Sequence, residues 1–264
     1  MHICLRSREL GVACLISGFL FSTLSFAQTH IPQGTIIPVQ LSTSLNSRKN
    51  KPGHKIKAIV EQDVPLSSGG MIKQGSRLIG DIISVTPANG TTAAQMTFQF
   101  DRIRTGTKEI HLRTDLRALA SMMDVFEAQV PLTGSDRGSP EDTWVTEQVG
   151  GEANYHGGWP IMRGGEMIGH SLLNGGLLAK PLALAGTPCR SEIDGNDRLQ
   201  AFWVFASSAC GVYGFGDLTI SHAGRTEPLG EMTLTSKHAD INVARGSGLL
   251  VRVIQPGPDL EGQR

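Results

Sequence analysis

Met71-Ile-Lys-Gln-Gly-Ser-Arg-Leu-Ile-Gly-Asp-Ile-Ile-Ser-Val85, the turn Pro87-Ala-Asn-Gly90 and the segment Gln95-Met-Thr-Phe-Gln-Phe100 decide the fold class. In the last of these, polar and apolar residues alternate, so Met96, Phe98 and Phe100 share one face of a half-buried strand. The first reads as a short strand, a turn at Gly75 and a longer strand. The connections are tight turns with no crossover helix, so the sheet is expected to be antiparallel.

Working outward, Lys55-Ile-Lys-Ala-Ile-Val60 follows the turn Pro52-Gly53 and alternates before becoming apolar, as a strand does. Thr107 to Thr114 supplies another strand, with Ile110 and Leu112 facing in. Thr35-Ile-Ile-Pro-Val-Gln-Leu41 is extended too, and Pro38, which lacks an N–H, marks it as an edge strand or the beginning of a strand. Thr35, Ile37, Val39 and Leu41 are therefore the candidate edge for a partner strand. Leu116 to Phe126 reads as a short helix or an extended run.

Toward the C-terminus, Leu199-Gln-Ala-Phe-Trp-Val-Phe205 is the most strongly β-forming piece and reads as a central strand. Strands are also expected at 217–222, 230–235 and 248–254. Gly211-Val-Tyr-Gly-Phe-Gly216 lacks a βαβ context and reads as a turn rather than a nucleotide loop. Gly34-Thr-Ile-Ile-Pro-Val-Gln-Leu41 and Gly246-Ser-Gly-Leu-Leu-Val-Arg-Val253 form an imperfect repeat of glycine, hydroxyl residue and apolar strand. If the copies are equivalent, the first and last strands are neighbours and close a barrel.

The fold expected is all-β, a mainly antiparallel barrel or sandwich with a long glycine-rich insertion. Residues 28–116 form its first half and 189–255 complete the same domain. The insertion spans 117–188, and 256–264 form a flexible tail. Doubled glycines at 150–151, 157–158, 164–165 and 175–176 weaken any long helix or strand, so the insertion is expected to be mobile. Leu172-Leu173 and Leu177-Leu178 around Asn174-Gly-Gly176 suggest a small hairpin or a loose helix.

Composition agrees with short strands and many turns. Thirty-two glycines and 13 prolines occur without a Gly-x-y period, which excludes collagen, and the net charge of zero does not indicate a basic nucleic-acid-binding chain. Arg6 and Arg8, the apolar run Leu10–Phe21 and the small residues Ser25 and Ala27 read as a secretory signal peptide over residues 1–27. Its removal takes away Arg6, Arg8 and Glu9 and leaves a net charge near −1. Two cysteines then remain, Cys189 and Cys210, and in an exported chain they are expected to pair. A periplasmic or outer-membrane-associated location follows from the same reading.

The chemistry-bearing residues form no specific motif. The mature histidines lack zinc-like spacing, and the sequence contains no nucleophile elbow and no phosphate-binding loop. No catalytic residue and no cofactor is assigned. Asp194, Asn196 and Asp197 offer oxygen ligands for calcium, but an Asx-rich turn is the preferred reading of them. Ser191, Asp194 and His222 are the residue types of a triad without the surrounding elbow or oxyanion hole. Tyr155 and Trp159 are the candidates to stack a sugar ring.

Gly34-Thr35, Asn46-Ser47, Pro52-Gly53, Glu61-Gln-Asp-Val64 and Ile72-Lys-Gln-Gly-Ser-Arg-Leu-Ile-Gly80 together resemble the start of the outer-membrane-proximal β-barrel domain of the TrbI-like scaffold proteins of conjugation and type IV secretion machines. The resemblance covers Ile31 to Val85, and Lys73 stands where that family usually has proline. Leu199 to Val253 resembles the end of uncharacterised exported acidobacterial proteins. The first resemblance implies a barrel with a scaffolding role in the envelope; the second implies no activity. The function expected is a non-enzymatic exported scaffold or binding module, partnered by an envelope protein or by copies of itself. The alternative is a secreted carbohydrate-binding domain or hydrolase acting on an envelope polysaccharide.

Overall fold

The computed structural model describes residues 30–132, 138–151, 153–190 and 197–256. The first half carries β1 (Ile36–Leu41), β2 (Leu45–Asn46), β3 (Lys55–Val60), β4 (Val64–Pro65), β5 (Met71–Ile72), β6 (Arg77–Thr86), β7 (Ala94–Thr105) and β8 (Lys108–Ala120). Helix α1 (Met122–Glu127) follows, with the Ser121 hydroxyl accepting from the Asp124 N–H at its N-terminus. Next come β9 (Val145–Glu147), β10 (Ala153–Tyr155), β11 (Pro160–Arg163), β12 (Glu166–Ser171), β13 (Leu177–Ala179) and β14 (Gln200–Ala201). The chain ends with β15 (Gly211–Tyr213), β16 (Leu218–Ala223), β17 (Met232–Ser236), β18 (Asn242–Val243) and β19 (Gly248–Pro256).

Six strands close on themselves in the order β8-β19-β1-β3-β6-β7 and back to β8, and every one of these ladders is antiparallel. The first and last strands are neighbours, with Ile37 opposite Val251 and Val39 opposite Leu249. Closure leaves no edge within the ring. It depends on Gly80 at a bulge in β6, where a Cβ would lie 1.8 Å from the carbonyl oxygen of Gln99. β7 and β8 join through Gly106, whose φ of +58° suits the first central residue of a tight two-residue hairpin.

Leu78, Ile82, Phe98, Phe100, Leu249 and Val251 belong to the main core, and the rings of Phe98 and Phe100 meet edge-on at 6.0 Å. The short pairs β2–β18 and β4–β5 add Leu45, Val243, Val64 and Ile72 to it. Burying each such side chain contributes about 1.5–3 kcal/mol.

A second core lies on the opposite face of the same strands. Ile36 and Leu250 belong to it, whereas their neighbours Ile37, Leu249 and Val251 belong to the first. Phe202, Phe205, Val149, Ile161, Ile168 and Leu177 pack there with Ala118 and Ala120 of β8. The residues from β9 to β14 thus form a unit laid over the outside of the barrel. Gly248 permits the close approach, since a Cβ there would lie 2.9 Å from Val125 Cγ2 and 3.2 Å from the Phe205 ring.

Four expectations need correction. First, Arg117–Ala120, assigned to the insertion, are the end of β8, and the glycine-rich stretch after it folds as short strands. The doubled glycines are the turns between those strands. Gly164 and Gly165, with φ of +58° and +83°, make the two-residue turn closed by Arg163 and Glu166, and Asn174-Gly-Gly176 lies in the β12–β13 hairpin.

Second, Leu199–Phe205 is not a central strand. Gln200–Ala201 pairs with β13 and Phe205 makes a single parallel bridge to Val149, but between them Phe205 N donates to Phe202 O across a turn and Trp203 takes φ +52°. Its aromatic residues are buried because they fill the space between the unit and the barrel; packing overrides strand propensity here.

Third, β1 is not an edge. It lies between β19 and β3, and Thr35, Ile37, Val39 and Leu41 are all buried. Leu41 N bonds to Ser247 O on the β19 side, so by alternation Pro38 turns its missing donor to the β3 side, at the end of that ladder. There its carbonyl accepts from Glu61 N, and the next free donor, Ile36 N, is taken by the side chain of Gln200.

Fourth, Gly211–Tyr213 is a strand rather than a turn. It runs parallel to β8, with Val212 opposite Leu119.

Candidate functional site

The unit over the barrel is fixed by buried polar side chains as well as by packing. Gln62 follows β3, and its Nε2 donates to Leu177 O at 3.0 Å. Its Oε1 accepts from Leu177 N at 3.1 Å and Trp203 N at 2.7 Å. One amide therefore bonds three backbone groups; Leu177 N and Trp203 N depend on it, while Leu177 O also accepts from Phe202 N at 2.9 Å. Gln148 works on the same turn: with its amide oriented so that the nitrogen faces the turn, it donates to Trp203 O at 2.9 Å and Val204 O at 3.0 Å. The left-handed conformation of Trp203, uncommon for a bulky residue, is thus held from both sides.

Arg117 performs the same task near the end of β8. Its Nε donates to Ala209 O at 3.0 Å and its Nη2 to Leu182 O at 3.1 Å. Burial lowers its pKa to about 10. The Cys189–Cys210 disulfide lies beside it, with Cys189 Sγ 3.6 Å from Arg117 O. Asp115, directly opposite Arg252 across the ladder, accepts from Arg252 Nη2 at 3.0 Å and Arg225 Nε at 3.2 Å. Burial raises the Asp115 pKa, and the two guanidinium groups oppose that rise.

Within the unit, His156 Nε2 lies 3.3 Å from the Thr146 hydroxyl, and the ring sits 6.3 Å from that of Trp144. Burial lowers the His156 pKa, against the opposing influence of Glu141. Asn154, also buried, donates to Gly175 O. These groups give the unit a polar interior of its own.

Its surface carries large apolar side chains. Tyr155 is 55% exposed, Trp159 62%, Met162 55% and Met167 60%, far beyond what packing in this unit requires. Met162 and Met167 stand opposite each other across the β11–β12 hairpin, while Ile161 and Ile168 turn inward. β11 is the outer strand of the four-stranded sheet β11-β12-β13-β14. Flexible thioethers paired across a hairpin suit recognition of an apolar surface.

Of the residues singled out in the sequence, Cys189 and Cys210 are paired and Tyr155 and Trp159 are exposed. Asp197 is exposed, while Asp194, Asn196 and Ser191 lie outside the described residues, as does the expected signal peptide. Met162, Met167, Gln62 and Arg117 escaped sequence reading. Met162-Arg-Gly-Gly-Glu-Met167 did carry a signal: two glycines between two methionines place both on one face of a tight hairpin. No protein-family model and no curated protein matches this chain.

Proposed function

We propose that this chain is a non-enzymatic exported protein of the cell envelope, a scaffold or binding module that docks a partner protein through the unit laid on its barrel. The observation that carries the proposal is the exposure of Trp159, Met162 and Met167 on that unit. Exposed aromatic and methionine side chains are enriched at protein interfaces, and β11, which carries Met162, is the outer strand of its sheet. The TrbI-like resemblance of Ile31 to Val85 supports an envelope scaffold independently. Tyr155 and Trp159 would also serve a polysaccharide, but the two methionines offer a sugar no hydrogen bonds and favour a protein.

The test is photocrosslinking in cells, with the crosslinker at Met167 and, as a control, at exposed Lys57 of the barrel. One reproducible protein adduct from Met167 alone is expected, on a chain whose intact mass begins at Gln28. Equal labelling from both positions, or a chain still beginning at Met1, would overturn docking or export respectively.

A further inference from the structure

The β11–β12 hairpin carries one irregularity. Met162 stands opposite Met167 and Pro160 opposite His170, and between these pairs the register shifts, with Ile168 as the extra residue on β12. Met167 and His170 are three apart and in a regular strand would face opposite ways. The bulge reverses that parity, and residues paired across a ladder share a face. Met162, Met167 and His170 therefore lie on one side of the hairpin, while Ile161 and Ile168 lie on the other, in the second core.

That side is open to solvent at both methionines, and His170 is half-buried. The His170 imidazole has no hydrogen-bond or ion-pair partner among the described residues. Directly opposite positions have Cβ atoms about 4.5–5.5 Å apart, and the diagonal position on the same face is about 7–8 Å away. Two thioethers and one imidazole, all on long side chains, can span those gaps and converge on one ion above the sheet. The inward packing of Ile161 and Ile168 holds the hairpin that carries them.

We propose that Met162, Met167 and His170 bind one soft monovalent cation of the copper(I) and silver(I) class. Thioether sulfurs are polarizable donors that select soft ions, and imidazole suits copper as well. All three donors are neutral, whereas hard divalent ions are held by carboxylates, and the neighbouring Glu166 is paired with Lys180 at 3.0 Å. After residue 27 the chain has two cysteines, and both are in the disulfide, so no thiolate there competes for such an ion. The docking surface shares the two methionines but not His170, and the metal site stands or falls without a partner.

The test titrates the chain from Gln28, its disulfide intact, with silver nitrate in chloride-free buffer, read by the methyl NMR signals of carbon-13-labelled methionine. The Met162 and Met167 signals should shift together and saturate at one ion per chain, while that of Met123, also 55% exposed, should not move. His170→Gln and Met167→Leu should each weaken silver binding about tenfold or more, since even partners one step removed from a metal cost that much. Circular dichroism and melting temperature establish that both variants are folded, and Met123→Leu should bind silver as the parent does. Excess zinc should leave the silver-bound signals in place. Absence of a saturable shift, equal shifts at every exposed methionine, undiminished binding by folded His170→Gln or Met167→Leu, or displacement of silver by zinc would overturn the proposal.

Discussion

Replacing Gln62 by leucine keeps the side-chain size roughly constant and removes every hydrogen bond the residue makes. Leu177 N and Trp203 N then lose the partner that holds them at 3.1 and 2.7 Å, whereas Leu177 O loses its 3.0 Å bond but keeps Phe202 N at 2.9 Å. Gln62 is 1% exposed, and a Cβ on neighbouring Gly176 would lie 2.8 Å from its Oε1, so water has little room to replace the amide. A buried backbone group stripped of its partner costs about 1–3 kcal/mol; with partial relaxation, the two N–H groups together should cost about 2–4 kcal/mol. Urea denaturation followed by tryptophan fluorescence measures the change, and hydrogen exchange locates it. Exchange at Leu177 and Trp203 should accelerate most, because the unit is released before the barrel opens. Thr43→Ala, which removes only exposed hydrogen bonds to Lys57, should stay within about 0.5 kcal/mol of the parent. If Gln62→Leu were as stable as Thr43→Ala and left exchange at Trp203 unchanged, the clamp would have no energetic role.

His156 gives a pH dependence of definite sign. Its folded-state pKa lies below the ordinary 6.5, so on acidification the unfolded chain takes up the proton first. Stability should therefore fall as pH drops from 6.5 toward the folded-state value and then level off; His156→Gln should flatten that part of a urea-midpoint profile, and an unchanged slope would exclude His156 as its source. The disulfide joins residues 21 apart, and a Cys189→Ser, Cys210→Ser double variant should lose about 3 kcal/mol in chain-entropy terms. Thiol titration of the denatured parent should find no free thiol, and two would refute the bridge. Gly248→Val should push against Val125 and the Phe205 ring and cost roughly 1–3 kcal/mol, seen as a lower melting temperature; an unchanged one would mean that the second core yields easily.

The barrel was legible in the sequence wherever one face of a strand is polar. Gln95–Phe100 and Lys55–Val60 alternate, and their burial follows the alternation. Thr35–Leu41 was harder to read because it is buried on both faces, Ile37 and Val39 in one core and Ile36 in the other. A single proline then suggested an edge, although its missing donor falls where the β3 ladder stops. The unit on the barrel was misread for a related reason. Its strands are only three to six residues long between β9 and β13, too short for a periodic signal, and its glycines are informative only as pairs in turns. Leu199–Phe205 shows the limit of propensity. The residues that most favour a strand are spent on a turn because four consecutive large side chains are needed to fill one interface. Gln62 and Arg117 could not be read at all, since their partners lie 115 and 92 positions away in the chain.

The same interlocking decides how docking can be tested. Removing the segment from β9 to β14 would uncover Ile36, Ala118, Ala120 and Leu250, a row of apolar side chains on the barrel's outer face. It would also strip Ile36 N of Gln200, leave Gln62 without its partners and strand Cys210 without Cys189. Such a deletion should aggregate, and its failure to bind would say nothing about Trp159 or the methionines. Substituting Met162 and Met167 by threonine leaves Ile161, Ile168 and both cores in place, because neither methionine belongs to a core cluster. The double variant should keep its melting temperature within a few degrees of the parent, since substitutions of exposed residues rarely exceed about 0.5 kcal/mol. Because the hairpin sits on a unit already fixed to the barrel, binding need not order it, and two lost contacts should appear directly in the dissociation rate. A double variant that stayed folded and captured the same crosslinked partner at the same rate would show that the β11–β12 hairpin is not the docking surface.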